Sequence, residues 1–243
     1  MKLLLTLSIL LLTCDAFAQN TIRLNISANG YPPYLIRNAD SNASGIIVDL
    51  LRVVAHKQKL KIKTVNFPQK RIHKNILSDA IDVTPSAIEW VENADDYAFS
   101  DVILTVNDIL FSPIDKPISF DVYDDLLSKK LGTRLGFNYP SLEPYFAKKL
   151  ITKTEVSTGL AMLKVTLKNR IDASILEDRV GKWVIKSNPD LHNKFYLSKK
   201  AVNSFEYRLM FSKKWQPFIA VFNEELAQMK KSGEFDSILE QYE

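Results

Sequence analysis

One pattern occurs twice and decides how the chain is read: Ile76-Leu-Ser-Asp-Ala-Ile-Asp82 followed by Val83-Thr-Pro-Ser-Ala-Ile88-Glu89, and Val165-Thr-Leu-Lys-Asn-Arg-Ile171-Asp172 followed by Ala173-Ser-Ile-Leu176-Glu177. Each copy is a helical tail, a short polar turn, and an Ile-Asp pair that opens an apolar run ending at an acid. The runs have the length and β-branched content of buried strands. A helix feeding a strand, repeated about ninety residues further on, predicts two similar α/β lobes. In such sheets ligands bind beyond the carboxyl ends of the strands. That places residues 86–89 and 177–178, and so Ser86, Glu89 and Glu177, beside a cleft between lobes.

Working outward, the composition is that of a globular protein: 243 residues, 46% hydrophobic and 25% charged. Residues 1–18 differ from the rest. Lys2 is a short basic start, residues 3–12 are apolar, and Ala16-Phe17-Ala18 is a small-x-small cleavage site, together a secretory leader. An apolar run of about ten residues is too short to span a bilayer. Cys14 would suit lipid attachment, but Thr13 before it fits that site poorly, so cleavage after Ala18 into the periplasm is expected. Cleavage removes Lys2 and Asp15, leaving the net charge at +4, and takes away Cys14, the one cysteine. The mature chain then has no disulfide and no thiolate nucleophile or ligand. Mild basicity without a Lys/Arg block gives no support for nucleic-acid binding. His56, His73 and His192 lack metal-ligand spacing, and seven glycines form no phosphate cradle. No cofactor or metal is expected, and the protein is expected to be a monomer.

Periodicity predicts strands at 21–27, 61–67, from 80, 131–135, 172–176, 194–198 and 208–211. Pro85 is expected to end regular pairing of its strand, because proline gives no ladder donor. Helices are predicted at 46–58, 68–77, 144–150, 158–167, 180–186 and from Pro217, the last closed by Gly233. The apolar run 102–111 is long enough to cross between lobes, with crossovers expected near 112–116 and 198–206. The division is 1–18 leader, 19–112 plus 205–243 for one lobe, and 113–204 for the other.

Tyr31-Pro-Pro-Tyr34, Gly45-Ile-Ile-Val-Asp49-Leu50, Ile81-Asp82, Phe99-Ser100-Asp101, Leu131-Gly132 with Gly136, Ile171-Asp172, and Ser232-Gly233-Glu-Phe-Asp236-Ser-Ile238 occur in one order over nearly the whole mature chain. In this order they resemble the bacterial extracellular solute-binding proteins of family 3, receptors of polar amino acid ABC importers. The resemblance implies a periplasmic binding protein type II (Venus-flytrap) fold, two α/β lobes joined by two crossover strands. It implies a small polar solute held between the lobes, and an inner-membrane ABC permease or a sensor domain as partner. The sequence departs from the family where ligand choice is made. The family's amino-acid binders carry an arginine several residues before Phe-Ser, suited to grip a carboxylate two-pronged; here that place holds Asn93 or Ala94. Phe137-Asn138 stands where the family offers Ser or Thr, and Glu177 where it offers the aspartate that meets the ligand's ammonium. Ordinary α-amino acids are therefore expected to bind weakly or not at all.

Each candidate has a structural reading beside the functional one. Tyr31 and Tyr34 can face a solute, or a cation by cation–π attraction, or merely shape their loop. Trp90, with Glu89, can line the cleft or anchor a lobe surface. Arg71 and Arg134 can hold an anionic group or sit in ordinary ion pairs. Asp49 suits a first helical turn, and Asp82 and Asp172 suit turn amides. Glu177 can hold a solute ammonium. In the alternative, a dehydratase-type enzyme on the same fold, it would be the acid/base.

Overall fold

The computed structural model describes residues 21–38 and 43–242; the expected leader lies outside the described residues. Strand β1 (Thr21–Asn25) leads through the Tyr-Pro-Pro-Tyr loop to a two-stranded ribbon, β2 (Ile36–Arg37) with β3 (Ala43–Ser44). Helix α1 (Ile46–Lys57) follows, its Ile47, Leu50, Leu51 and Val54 stripe buried. Gly45 before it has φ 116° and a Cβ there would lie 2.5 Å from the Tyr34 carbonyl, so only glycine lets the loop fold onto the helix start. Then come β4 (Lys61–Val65), a 3₁₀ turn at Gln69–Arg71, α2 (Ile72–Leu77) and β5 (Val83–Ser86). The short β6 (Ala98–Phe99) precedes the long β7 (Leu104–Pro113). A second series runs β8 (Lys130–Arg134), α3 (Glu143–Ala147), β9 (Thr152–Val156), α4 (Gly159–Leu167), β10 (Ala173–Glu177), α5 (Asp178–Lys186) and β11 (Phe195–Leu197). The chain returns through β12 (Asn203–Phe211) to α6 (Gln216–Ser232) and α7 (Glu234–Glu240).

The strand order is β4-β1-β5-β12-β7-β10-β8-β9. At each end three strands are parallel: β1 between β4 and β5, and β8 between β9 and β10. The two ends are joined by the antiparallel pair β7 and β12. On one side α1, α6 and α7 share a core with β1, to which Phe218, Phe222, Ile22 and Leu24 all belong. On the other, Leu131, Ala173 and Ile175 form one core and Phe111, Met162 and Leu176 another.

The repeated motif is built the same way twice. A residue with positive φ, Asp79 in the first copy and Asn169 in the second, breaks the helix. Three residues later Asp82 donates its backbone N–H to the Arg23 carbonyl and accepts the Arg23 N–H on its carboxylate at 2.8 Å. Asp172 does the same with Lys130, accepting its N–H at 2.7 Å. These aspartates were expected to satisfy turn amides. They instead clip the start of one parallel strand to the next, as an open strand end requires when its amides would otherwise be unpaired.

Several elements differ from the sequence expectation. Pro85 does not end its strand: β5 runs on to Ser86 and Leu209 stands opposite Pro85. Pairing with β1 stops at Leu24↔Val83, so the missing N–H falls where β5 has already left that neighbour. β12 begins at Asn203 rather than 208. β9 was unforeseen, because Thr-Lys-Thr-Glu-Val has little apolar signal on a sheet edge.

Candidate functional site

β7 changes partners in mid-strand. Residues 104–108 pair with β12 and 108–111 with β10, and at Asp108 both neighbours are present, Asn203 on one side and Glu177 on the other. Beside this crossing the loops after β1, β4, β5 and β8 enclose a cleft of about 1190 Å³. Its lining takes residues 27–31 and 68–73, then Trp90, Asn93, Val106, Asp108 and Tyr207, and across from them residues 134–139, Ser157 and Glu177.

Of the ten sequence candidates, Tyr31, Arg71, Trp90, Arg134, Phe137, Asn138 and Glu177 line this cleft. Tyr34, Ser86 and Glu89 do not. Tyr34 is fully buried behind Tyr31, the rings stacked with centroids 5.8 Å apart, and it donates its O–H to Glu177 Oε1 at 2.9 Å. Ser86 is buried and gives its hydroxyl to the Ala87 carbonyl. Glu89 lies in the exposed turn Ile88–Trp90.

The cleft wall is aromatic. Tyr31 meets Phe137 from the opposite side at 5.8 Å, and Tyr34 meets Tyr207 edge-on at 5.2 Å. Trp90 packs on Phe205 and Tyr207 at 5.0 and 5.9 Å. Its indole N–H is buried without a hydrogen-bond partner among the described residues.

Two charge regions stand against this wall. Arg134 ends β8 half-buried, its guanidinium 5.8 Å from the centroid of the Phe137 ring. It has no carboxylate partner among the described residues, and burial holds its pKa below the usual arginine range. Arg71 is exposed and likewise forms no ion pair there. Asn93, in the arginine's expected place, adopts a left-handed φ of 52° and lines the cleft.

The other region is acidic. Glu177 is 3% exposed, ends β10 and caps α5 by accepting the Val180 N–H on Oε2 at 2.9 Å. Burial raises its pKa, and the hydrogen bonds from Val180, Tyr34 and Arg179 act against that rise. Asp108 was missed by the sequence reading. It lies half-buried, open to the cleft and enclosed by β10 and β12 on its flanks. Burial and the neighbouring Glu177 charge push its carboxyl up to about 7. The available signal was a lone carboxylate inside the apolar run 102–111. Among the described residues no cluster of His, Cys, Asp or Glu is placed to hold a metal. Cation, carboxylates and aromatic faces in one cleft can hold a small polar solute that carries opposite charges.

The comparisons with known proteins bear on the family and the fold. The family model described as bacterial extracellular solute-binding proteins, family 3, matches residues 24–243. The probable histidine-binding protein of Campylobacter jejuni is 25% identical over 229 residues, covering 93% of this chain and 87% of that protein. The arginine-binding extracellular protein ArtP of Bacillus subtilis is 26% identical over 210 residues, covering 86% and 80%. An ancestral arginine-binding protein, solved bound to arginine, superposes with a TM-score of 0.76 at 20% identity, covering 92% of this chain and 98% of that one. That likeness carries the fold alone, the two-lobed type II periplasmic binding fold expected from the sequence. No helix among the described residues is long and apolar enough to cross a membrane.

Proposed function

We infer the function from one premise: the chain belongs to the bacterial extracellular solute-binding proteins, family 3. It captures a small polar solute between its two lobes, which residues 19–112 with 205–243 and residues 113–204 compose. The leader at 1–18 directs it to the periplasm, and an ABC permease or a sensor domain reads the solute-bound form. The named ligands of its relatives, histidine and arginine, make an α-amino acid the first class to test.

The observation that carries this reading is Arg134. A half-buried guanidinium without a carboxylate partner among the described residues is costly unless something anionic meets it. Here it stands in a cleft lined from both sides of the crossing strands. The family's carboxylate-binding arginine is absent at Asn93, and Arg134 takes its task from the opposite lobe. The planar guanidinium, 5.8 Å from the centre of the Phe137 ring, offers a two-pronged grip for a carboxylate. Tyr31, Trp90, Phe137 and Asn138 wall the solute, and Arg71 stands at the exposed side.

The test is a thermal-shift screen of the common amino acids on the purified mature protein, followed by calorimetry on whatever stabilises it. Arg134→Met should cost the bound amino acid about 1.5–3 kcal/mol, the worth of hydrogen bonds to a charged group. No stabilisation by any amino acid, or an affinity indifferent to Arg134→Met, overturns the reading.

A further inference from the structure

We propose that Asp108 is the specificity-determining residue of the cleft, selecting a solute that carries a positively charged nitrogen group apart from its α-carboxylate. This rests on the solute-binding reading above and deepens it.

Three observations carry the assignment. The first is register. Asp108 stands directly opposite Glu177 on one neighbour and Asn203 on the other, so the three side chains form a row across one face of the sheet. Two of the three, Asp108 and Glu177, line the cleft. Like charges directly opposite one another are unfavourable unless a positive group joins them.

The second is acceptor capacity. Glu177 already accepts from Tyr34 on one oxygen and from Val180 on the other. Asp108 belongs to no ion pair among the described residues. Asn203 opposite it is 6% exposed; its amide stands close enough to favour the carboxylate form of Asp108, and neither of its amide atoms completes a hydrogen bond among the described residues. Asp108 thus has acceptor capacity left for the cleft, beside a buried amide that has polar capacity to spare.

The third is the surrounding wall. Tyr31, Trp90 and Tyr207 line the same cleft. Aromatic faces around a carboxylate attract ammonium, guanidinium and imidazolium groups by their ring quadrupoles and exclude the water that would compete. The rise of the Asp108 carboxyl toward neutrality is the cost of leaving it unpaired, and a bound cation relieves it. With Arg134 holding the carboxylate of the solute, the cleft accommodates an amino acid with a cationic side chain and discriminates against neutral side chains of the same shape.

Calorimetry on the mature protein with two matched pairs tests this: L-arginine against L-citrulline, and L-lysine against L-norleucine. The cationic member of at least one pair should bind about 10- to 100-fold more tightly than its neutral partner, the range of a charge-assisted hydrogen bond. Asp108→Asn should bring that pair to within about threefold and leave the neutral member's affinity almost unchanged. The wild-type comparison stands alone if the variant folds poorly. Equal binding within both pairs, or a preference that survives Asp108→Asn, overturns the proposal. Tight binding of neutral or acidic amino acids that depends on Arg134 sinks the assignment of Asp108 while the solute-binding reading stands. A protein that binds no amino acid loses both.

Discussion

Glu177 shows how one residue serves two demands. Its position at the carboxyl end of a buried strand is where a ligand group belongs, and it does line the cleft. The same carboxylate also caps α5 and receives the hydroxyl of Tyr34 from a loop 143 positions away. Tyr34→Phe keeps the ring stack on Tyr31 and deletes only that hydroxyl. It should lower stability by about 1.5–3 kcal/mol, because a buried carboxylate loses a donor. A denaturant midpoint shifted by less than about 0.5 kcal/mol equivalent would show the bond to be dispensable. Single-residue roles were only partly legible in the sequence. Tyr31-Pro-Pro-Tyr34 announces a loop with two aromatic rings, but nothing in the text says that the second turns inward and the first lines the cleft. Asp108 was hidden for a similar reason. An apolar run reads as buried, and whether its one acid meets solvent depends on the strand that crosses beside it.

At the scale of elements, the two copies of the helix–strand unit were legible because both need the same local solution. A left-handed residue stops each helix, and an aspartate ties the next strand to its neighbour. The copies differ in burial, and their energetics should differ with it. Asp82 is fully buried, takes Arg23 in a two-pronged grip at 2.7 Å on both oxygens, and has Lys214 at 3.1 Å. Asp172 is exposed. Asp82→Asn should therefore cost about 3–5 kcal/mol, as breaking one side of a buried pair does. Asp172→Asn should stay within about 1 kcal/mol. Equal costs for the two, measured by chemical denaturation, would contradict this. Burial by itself would raise the Asp82 pKa, but hydrogen bonds from Arg23, Trp215 and Lys214 outweigh it and hold the carboxyl below its usual range. A folded pKa below the unfolded one gives stability that is present above the unfolded value near 3.9. That stability is lost as pH falls through the folded value. Asp82→Asn should flatten that part of the acid limb, and Asp172→Asn should not. Some strands were missed because they are only two residues long, β2, β3 and β6, and others because their pattern is polar by position: β9 at the sheet edge, and the first half of β12, where Asn203, Ser204 and Glu206 interrupt the apolar run.

For the molecule as a whole, contacts that tie the two halves gather at the crossing strands and around the cleft. Tyr34 reaches Glu177, Tyr31 meets Phe137, and Trp183 on α5 meets Tyr242 at the chain's end, 6.2 Å between centroids. Gly181 brings α5 onto β7 so closely that a Cβ there would lie 2.1 Å from Phe111. The crossing is thus tightly packed, while Leu77 and Leu135 on the cleft lining stay 57% and 49% exposed. A solute that touches Arg134 on one lobe and the Asp108 row at the crossing favours the state in which both contacts are made, and shifts the population toward closure. The measurement that tests this most directly is small-angle X-ray scattering of the mature protein, with and without a saturating solute found by the thermal-shift screen. A radius of gyration that falls on addition of the solute, and does not fall for Arg134→Met at the same solute concentration, is the predicted result. A scattering curve unchanged by a solute that calorimetry shows to be bound would contradict capture by closure of two lobes.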